Sequence, residues 1–137
     1  MESKVFLDAN IVLDLLSQER PNHHQAKLLI LRLIEKDMTV CISEDILTTV
    51  YYVAKEKQRV VTFFQTIQKR WEILSFGQVV IADALAYAAK HQCDLEDTLQ
   101  CLYAAKEGCS MIVTEDSGFV ACGVKIMNYE SVLNEIR

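Results

Sequence analysis

Lys4-Val5-Phe6-Leu7-Asp8-Ala9-Asn10 is the stretch from which the rest of the chain can be placed. Val5–Leu7 is a short, wholly apolar run, which predicts a buried strand, and Asn10 is a residue type that favours the N-cap of a helix. Asp8 therefore falls in a strand-to-helix turn, at the carboxyl end of the strand. In open α/β sheets, ligands and reacting groups lie at that edge.

The composition indicates a compact globular chain. It has 137 residues, 51% of them hydrophobic and one of them proline, which suits a single domain over residues 1–137. No apolar run approaches the ~18–20 residues of a membrane span, and Met1–Lys4 leads straight into the first strand without the features of a signal peptide. The five cysteines follow no zinc-knuckle spacing, and most lie in apolar runs, which favours reduced thiols in the core. These features predict a cytoplasmic protein.

The net charge of the chain is −5 at pH 7, which argues against binding of nucleic acid by the whole surface. It does not exclude nucleic-acid chemistry, because a metal ion inverts the local charge of an acidic pocket. Positive charge clusters at Lys55, Lys57 and Arg59, and Lys69 and Arg70 follow one helix later. A solvated helix face explains each of these residues singly, and as a group they are the candidate for a phosphate-facing edge.

Short apolar runs alternate with helical patterns along the chain. The predicted strands are Val5–Leu7, Thr39–Ile42, Trp71–Leu74, Ser110–Val113 and Val124–Met127. The predicted helices are Ile11–Leu16, His23–Lys36, Glu44–Lys55, Val60–Lys69, Val79–Lys90, Leu95–Lys106 and a C-terminal helix capped by Asn128. Asp14 is interpreted as a solvent-facing position of the first helix, and Val79–Lys90 is expected to be well buried. Strands that are continuous apolar runs predict a mostly parallel sheet of about five strands between two helical layers, an α/β/α fold.

Acidic residues stand at the carboxyl ends of these predicted strands. Asp8 follows the first strand, Asp116 follows the fourth, and Asp97 lies in the first turn of the helix that leads into the fourth. Right-handed crossovers place all the strand carboxyl ends along one edge, so the three carboxylates are expected to converge. Carboxylates this close repel one another unless a cation or a proton lies between them. Hard oxygen ligands from three segments therefore predict a site for a divalent cation.

Two motifs resemble those of PIN-domain ribonucleases. Phe6-Leu7-Asp8-Ala9-Asn10-Ile11-Val12-Leu13-Asp14 is similar to the opening motif of that family. Asp94-Leu95-Glu96-Asp97, followed by Ile112-Val113-Thr114-Glu115-Asp116 and then Phe119, resembles its second half, where a helix-opening Asp precedes an apolar strand and a Thr-x-Asp turn. The resemblance covers nearly the whole chain. The length of the chain is also similar to that of VapC-like toxins of toxin–antitoxin pairs.

The resemblance implies a PIN-like fold and metal-dependent hydrolysis of RNA phosphodiester bonds, with Mg²⁺ or Mn²⁺ as cofactor. The implied metal ligands and catalytic residues are Asp8, Asp97 and Asp116. The implied supporting residues, which act by hydrogen bonds, are Asn10, Ser43 and Thr114. The implied partners are an RNA substrate, a cognate antitoxin protein and a second copy of the chain in a homodimer, with no membrane.

One position departs from the pattern of the family. The family places a Glu about two turns into the helix after the second strand, and Thr49 stands there in this chain. The acids that could compensate are Glu44, Glu96 and Glu115. Because three carboxylates suffice for one ion, the sequence predicts one tight cation site and a second site that is weak or completed by substrate.

Two other functions are consistent with the residues. The Thr49 departure favours a catalytically weakened PIN-fold domain that binds nucleic acid or protein, but the joint presence of Asp8, Asp97 and Asp116 argues against it. A phosphohydrolase with an aspartyl nucleophile commonly carries a second acid two residues after the first, where this chain has Asn10. The leading hypothesis is an endoribonuclease that is the toxin component of a type II toxin–antitoxin system.

Overall fold

A computed structural model describes residues 3–137. Met1 and Glu2 lie outside the described residues, and so does the part of the signal-peptide expectation that rests on them. Within residues 3–137 the strands are β1 (Lys4–Leu7), β2 (Thr39–Ser43), β3 (Glu72–Leu74), β4 (Met111–Val113) and β5 (Lys125–Met127). The helices are α1 (Ala9–Leu16), α2 (His23–Glu35), α3 (Glu44–Val53), α4 (Lys57–Ile67), α5 (Gly77–His91), α6 (Leu95–Lys106) and α7 (Tyr129–Glu135).

The strands form one sheet in the order β3-β2-β1-β4-β5, and every neighbouring pair is parallel. The central strand is β1, where Val5 pairs with Val40 on one side and with Met111 on the other. Parallel neighbours need crossover connections. Helices supply those between β1 and β2, β2 and β3, and β3 and β4, whereas the segment between β4 and β5 contains no helix. The predicted α/β/α fold with a parallel sheet of about five strands is confirmed. Among the described helices, none combines the length and apolar character needed to cross a bilayer.

The core is built around the central strand. Val5, Phe6 and Leu7 are consecutive and fully buried, because helices cover both faces of the sheet at β1. The edge strand β3 is half-buried at each of its positions. The most deeply buried strand, β1, and the turn at Asp8 that follows it therefore lie at the middle of the fold.

Helix α1 begins two residues earlier than predicted. Asp8, rather than Asn10, is its N-cap, and the Asp8 carboxylate accepts the backbone N–H of Ala9 at 2.7 Å. Asn10 lies exposed in the first turn. The predicted cap is wrong because Asp8 already has the extended backbone of a cap residue and satisfies an amide that the helix leaves unpaired.

Helix α5 is mostly exposed, contrary to the prediction that it is well buried. Only Val80 and Ala84 of its residues are buried, while Val79 is 65% exposed and Leu85 is 52% exposed. The helix packs chiefly against α6 and leaves its other faces uncovered. An alanine-rich sequence does not separate these cases, since Ala favours both a buried helix and an exposed one.

Three of the five basic residues predicted as a phosphate-facing edge are used within the fold. The Lys57 ammonium donates hydrogen bonds to the carbonyls that end α3, those of Tyr51, Tyr52 and Ala54. Such a cation satisfies carbonyls that the helix leaves unpaired and complements the helix dipole. Lys55 and Arg59 each form a surface ion pair with a nearby Glu. These groups lie at the carboxyl end of α3, away from the acids at its amino end.

The cysteines depart from the predicted set of reduced core thiols. Cys101 and Cys122 form a disulfide bond, whereas Cys41, Cys93 and Cys109 are free. The prediction is wrong for the bonded pair because α6 packs against the segment between β4 and β5. That packing brings together two cysteines that are 21 positions apart.

Candidate active site at the carboxyl edge of the sheet

Asp8 is a nearly buried carboxylate, 8% exposed, directly after β1. Its Oδ1 accepts the N–H of Ala9 and its Oδ2 accepts the hydroxyl of Thr114, each at 2.7 Å. Burial raises the pKa of Asp8, the two hydrogen bonds lower it, and the negative charges of Asp116 and Asp45 raise it further. Both oxygens of Asp8 are thus fixed by hydrogen bonds, while burial and neighbouring charges destabilise the negative charge of the carboxylate. A bound cation would stabilise that charge.

Thr114 connects two of the predicted site acids. It is 2% exposed, and its hydroxyl donates to Asp8 while it accepts the backbone N–H of Asp116 at 3.1 Å. The Thr114 N–H donates to the carbonyl of Met127 in β5 at 2.9 Å, which anchors the turn to the sheet. The Asp116 carboxylate accepts the N–H of Gly118 at 2.9 Å. The turn after β4 therefore holds Asp116 beside Asp8, as the predicted convergence requires.

Asp97 comes to the same place from α6. Asp94 is the N-cap of that helix and accepts the backbone N–H of Asp97 at 2.9 Å, so Asp97 stands in the first turn. Burial, followed by the charges of Asp94, Asp8 and Asp116, raises the pKa of Asp97 to about 7. Because those charges act on Asp97 through space, the structure brings Asp8, Asp97 and Asp116 together at one edge.

Of the other predicted site residues, Ser43 lies beside the acids, whereas Asn10 and Glu44 do not. Ser43 is fully buried, and its hydroxyl donates to the carboxylate of Asp45 instead of capping α3. Glu44 is exposed and accepts the hydroxyl of Ser75 at 3.2 Å, so it faces the end of β3 and not the three acids. Within the described residues the exposed side chain of Asn10 makes no hydrogen bond to these acids. The structure thus leaves Asn10 and Glu44 outside the cluster.

Asp45 belongs to the cluster and is absent from the sequence-predicted set. Its Oδ2 accepts Nε2 of Gln100 at 3.0 Å, and the same amide lies 3.4 Å from Oε1 of Glu96. Burial raises the pKa of Glu96, and the charges of Asp45 and Asp8 raise it further. Gln100 is the signal that sequence reasoning missed: it is a fully buried amide beside apolar residues of α6, and such a group needs polar partners.

Asp14 of α1 is connected through Tyr129 to the turn that carries Asp116. It is 4% exposed, so its interpretation as a solvent-facing position is wrong. Its carboxylate accepts Nε of Arg20 at 2.7 Å and the hydroxyl of Tyr129 at 2.8 Å. The Tyr129 N–H in turn donates to Glu115 at 2.6 Å. Glu115 therefore anchors the turn that carries Asp116 and does not point at the other acids.

The acids at this edge imply a divalent cation. Among residues 3–137, no three His, Cys, Asp or Glu side chains lie close enough together to hold a metal ion between them as the side chains are placed. Carboxylate oxygens are nevertheless the ligands that Mg²⁺ prefers, and it commonly uses one or two of them while keeping several waters. The carboxylate chemistry of the donors, and the raised pKa values of Asp8 and Asp97, fit an open divalent site. Beside Asp116 lies a cavity of about 620 Å³, lined partly by the polar residues Asn128, Ser131 and Asn134.

The chain is similar to known proteins both in sequence and in fold. Residues 4–118 match the family model described as PIN domain. Ribonuclease VapC1 of Aquifex aeolicus (strain VF5) is 33% identical over 131 residues, which cover 93% of this chain and 91% of that protein. The fold is similar to that of Mycobacterium tuberculosis VapC20, described as a sarcin–ricin loop cleaving toxin, with a TM-score of 0.72, 16% identity, and coverage of 88% of this chain and 95% of that one. It is also similar to a chain of a toxin–antitoxin complex from Klebsiella pneumoniae, with a TM-score of 0.71, 17% identity, and coverage of 91% of this chain and 97% of that one.

The family match spans most of the chain and includes both motifs that carry Asp8, Asp97 and Asp116. The relative and the solved structures match over nearly the full length of each partner. The chain belongs to the PIN domain family.

Proposed function

We propose that this chain is a metal-dependent endoribonuclease that hydrolyses RNA phosphodiester bonds, and that it is the toxin component of a type II toxin–antitoxin system. The observation that carries the proposal is the meeting of Asp8, Asp97 and Asp116 at one edge of the sheet. The 33% identity to a protein named ribonuclease VapC1 supports the same activity. The fold shared with a toxin that cleaves the sarcin–ricin loop agrees with RNA as the substrate.

Asp8, Asp97 and Asp116 would hold Mg²⁺ or Mn²⁺. When bound there, such an ion supplies charge stabilisation at the scissile phosphate and lowers the pKa of a water molecule. Asp8 and Asp97 differ in how they are suited to binding the ion. Asp8 is held by two hydrogen bonds, whereas Asp97 has a pKa of about 7 and exchanges its proton near neutral pH.

Thr114, Asp45 and Glu96 have further roles in this proposal. Thr114 fixes Asp8 relative to Asp116 through its one hydroxyl. Asp45 and Glu96, which share the amide of Gln100, supply the negative charge that is missing where Thr49 replaces the Glu of the family. They are the candidates for the weaker second cation. The cavity beside Asp116 is the candidate for contacts with the RNA strand.

The proposed partners are an antitoxin protein, which inhibits the enzyme, and a second copy of the chain in a homodimer. The antitoxin proposal is supported by the shared fold with a chain of a toxin–antitoxin complex. Exposed apolar side chains, such as Tyr52 at 79% and Val79 at 65%, offer surface for such contacts. A cytoplasmic location is part of the same proposal, because the RNA substrate is found there.

The test is cleavage of a mixed RNA substrate by the wild-type protein and Asp8→Asn, each with Mg²⁺, with Mn²⁺ and with EDTA. Asp83→Asn, an exposed acid in the middle of α5, is the matched control. We expect EDTA to abolish cleavage and Asp8→Asn to reduce it by about 100-fold or more, the scale of losing one charge-stabilising group. Thermal melts should show both variants folded.

Equal cleavage by wild type and Asp8→Asn would assign the activity to a contaminant and contradict the proposal. A folded wild-type protein that binds Mn²⁺ but cleaves no RNA would favour the second candidate, a weakened PIN-fold binding domain. The Thr49 departure is the observation behind that candidate.

A further inference from the structure

The Cys101–Cys122 disulfide joins two elements that carry acids of the candidate active site. Cys101 is fully buried on α6, one turn after Asp97 and on the same side of the helix. Cys122 is half-buried in the segment between β4 and β5, which begins with the turn that holds Asp116. The two Cα atoms are 6.0 Å apart, within the usual range for a disulfide. The bond therefore limits how far Asp97 and Asp116 can move apart.

Few other contacts hold the segment over residues 117–124. Phe119 is buried at 8% exposure and inserts into the core, and the hydroxyl of Tyr87 donates to the carbonyl of Ala121 at 3.2 Å near the surface. The segment has no strand or helix of its own, and Gly123 has a φ of +101°. Val124 packs against the core where the segment enters β5. Since local unfolding is easiest where buried contacts are few, the disulfide is an important restraint on residues 120–123.

We propose that Cys101–Cys122 is a redox modification site, opened by a dithiol reductant, and that its state controls how firmly Asp97 and Asp116 are held in register. A disulfide in a reducing compartment is usually transient or redox-sensing and not a permanent structural bond. The effect on activity rests on the proposed ribonuclease function, whereas the existence of the bond and its effect on the segment do not.

The exchange is balanced as follows. One thiolate of the reductant attacks Sγ of Cys122, because this residue is half-buried whereas Cys101 is fully buried, and Cys101 leaves as a thiolate that takes up a proton. The second thiol of the reductant then attacks the reductant's own sulfur in the mixed disulfide and releases Cys122 as a thiol. Two electrons pass to the protein, and the reductant leaves as its own disulfide.

Opening the bond should weaken cation binding. In the reduced protein the segment has more conformations to lose when Asp116 is fixed, so ordering it opposes binding. Binding and bond state are thermodynamically linked, so Mn²⁺ should in turn make the disulfide harder to reduce.

The first measurement is thiol titration of the denatured protein after mild oxidation and after full reduction, with reductant removed. We expect three reactive thiols in the oxidised form, Cys41, Cys93 and Cys109. The reduced form should have all five. The Cys93→Ser variant should have one fewer in each state, whereas Cys101→Ser/Cys122→Ser should count the same in both. Five thiols after oxidation of the folded protein would overturn the proposal.

The second measurement is amide hydrogen exchange over residues 114–124, which needs neither cation nor RNA. Exchange should be faster in the reduced protein and in Cys101→Ser/Cys122→Ser than in the oxidised protein. Circular dichroism verifies that the variant is folded, and reduced wild type replaces it if it is not. Unchanged exchange would overturn the proposal.

The third measurement is Mn²⁺ affinity by calorimetry, together with RNA cleavage. We expect the reduced form to bind Mn²⁺ about fivefold more weakly or worse, the lower end for linked sites, and to cleave more slowly. Cys93→Ser should respond to reduction as wild type does, and the double variant should not respond. Equal affinity in both redox states would overturn the proposed coupling. Thiol counts and exchange that behave as expected, with no Mn²⁺ binding or cleavage in either state, would show instead that the proposed function is wrong.

Discussion

Thr114 Oγ1 lies 2.7 Å from Oδ2 of Asp8 and donates a hydrogen bond to it, although the two residues are 106 positions apart in the chain. The same hydroxyl accepts the backbone N–H of Asp116 at 3.1 Å. Because Thr114 is nearly fully buried, water cannot replace either bond easily. One side chain thus sets the geometry of two acids that come from opposite ends of the sequence.

Replacing Thr114 with Val should impair both stability and cleavage. Val has almost the same shape, but it leaves Oδ2 of Asp8 and the N–H of Asp116 without a partner, which costs about 1–3 kcal/mol for a buried polar group. The pKa of Asp8 should rise, since the Thr114 bond lowers it. Urea unfolding and RNA cleavage measure the two effects. Thr114→Ser keeps the hydroxyl and should stay close to wild type, and full activity of Thr114→Val would contradict the role assigned to this bond.

The stability of the metal-free protein should fall as pH rises toward neutrality. Burial and neighbouring acids raise the pKa of Asp97 from its ordinary 3.8 to about 7, so between these values the folded state binds a proton that the unfolded chain releases. Folding then weakens with increasing pH, and the contribution is lost once the pH passes the folded pKa. The raised pKa of Asp8 acts in the same direction.

Thermal melts at about pH 5 and about pH 8 should therefore show the higher melting temperature at the lower pH. Asp97→Asn should remove most of the difference, because its side chain does not titrate. Mn²⁺ should raise the melting temperature chiefly at the higher pH, since it binds the charged carboxylates. A melting temperature that rises with pH in the metal-free wild type would contradict the assignment.

Asp45 should matter to cation binding, and its neighbour Glu44 should not. Asp45 accepts the Gln100 amide and acts on the pKa of Asp8, whereas Glu44 faces Ser75. Asp45→Asn removes one charge from the cluster and should weaken Mn²⁺ binding roughly tenfold, the low end for groups just outside the ligand shell. Calorimetry on Asp45→Asn and Glu44→Gln makes the comparison. Equal losses of Mn²⁺ affinity in the two variants would mean that affinity depends on the net charge of the protein and not on the position of Asp45.

Tyr129→Phe should destabilise the protein with little direct effect on the acids. The change deletes the hydroxyl that donates to Asp14 at 2.8 Å, and a bond to a charged, buried acceptor is worth about 1.5–3 kcal/mol. Tyr52→Phe, at an exposed tyrosine, is the control and should stay within about 0.5 kcal/mol of wild type. Urea unfolding gives both values. A neutral Tyr129→Phe would show that Arg20 alone satisfies Asp14.

Much of the architecture can be predicted from local pattern. Val5–Leu7 and the later apolar runs are recognisable because a strand covered on both faces has no alternation. The meeting of Asp8 and Asp116 follows from that pattern, since parallel strands with right-handed crossovers align their carboxyl ends. The cap of α1 does not follow, because Asp and Asn serve equally well as N-caps and the choice between Asp8 and Asn10 depends on the turn geometry.

The chain's periodicity and turn residues alone were thus enough to establish a parallel sheet and the edge at which three acids meet. The packing of the elements settled the rest: Asp45 joins the cluster through Gln100, Asp14 is buried against Arg20 and Tyr129, and Cys101 bonds to Cys122. These are contacts between residues far apart in sequence, and they depend on how each helix is rotated and placed on the sheet. Local propensity carries no information about that rotation, because it acts over a few residues only, whereas burial and side-chain pairing are set by whatever the fold places opposite.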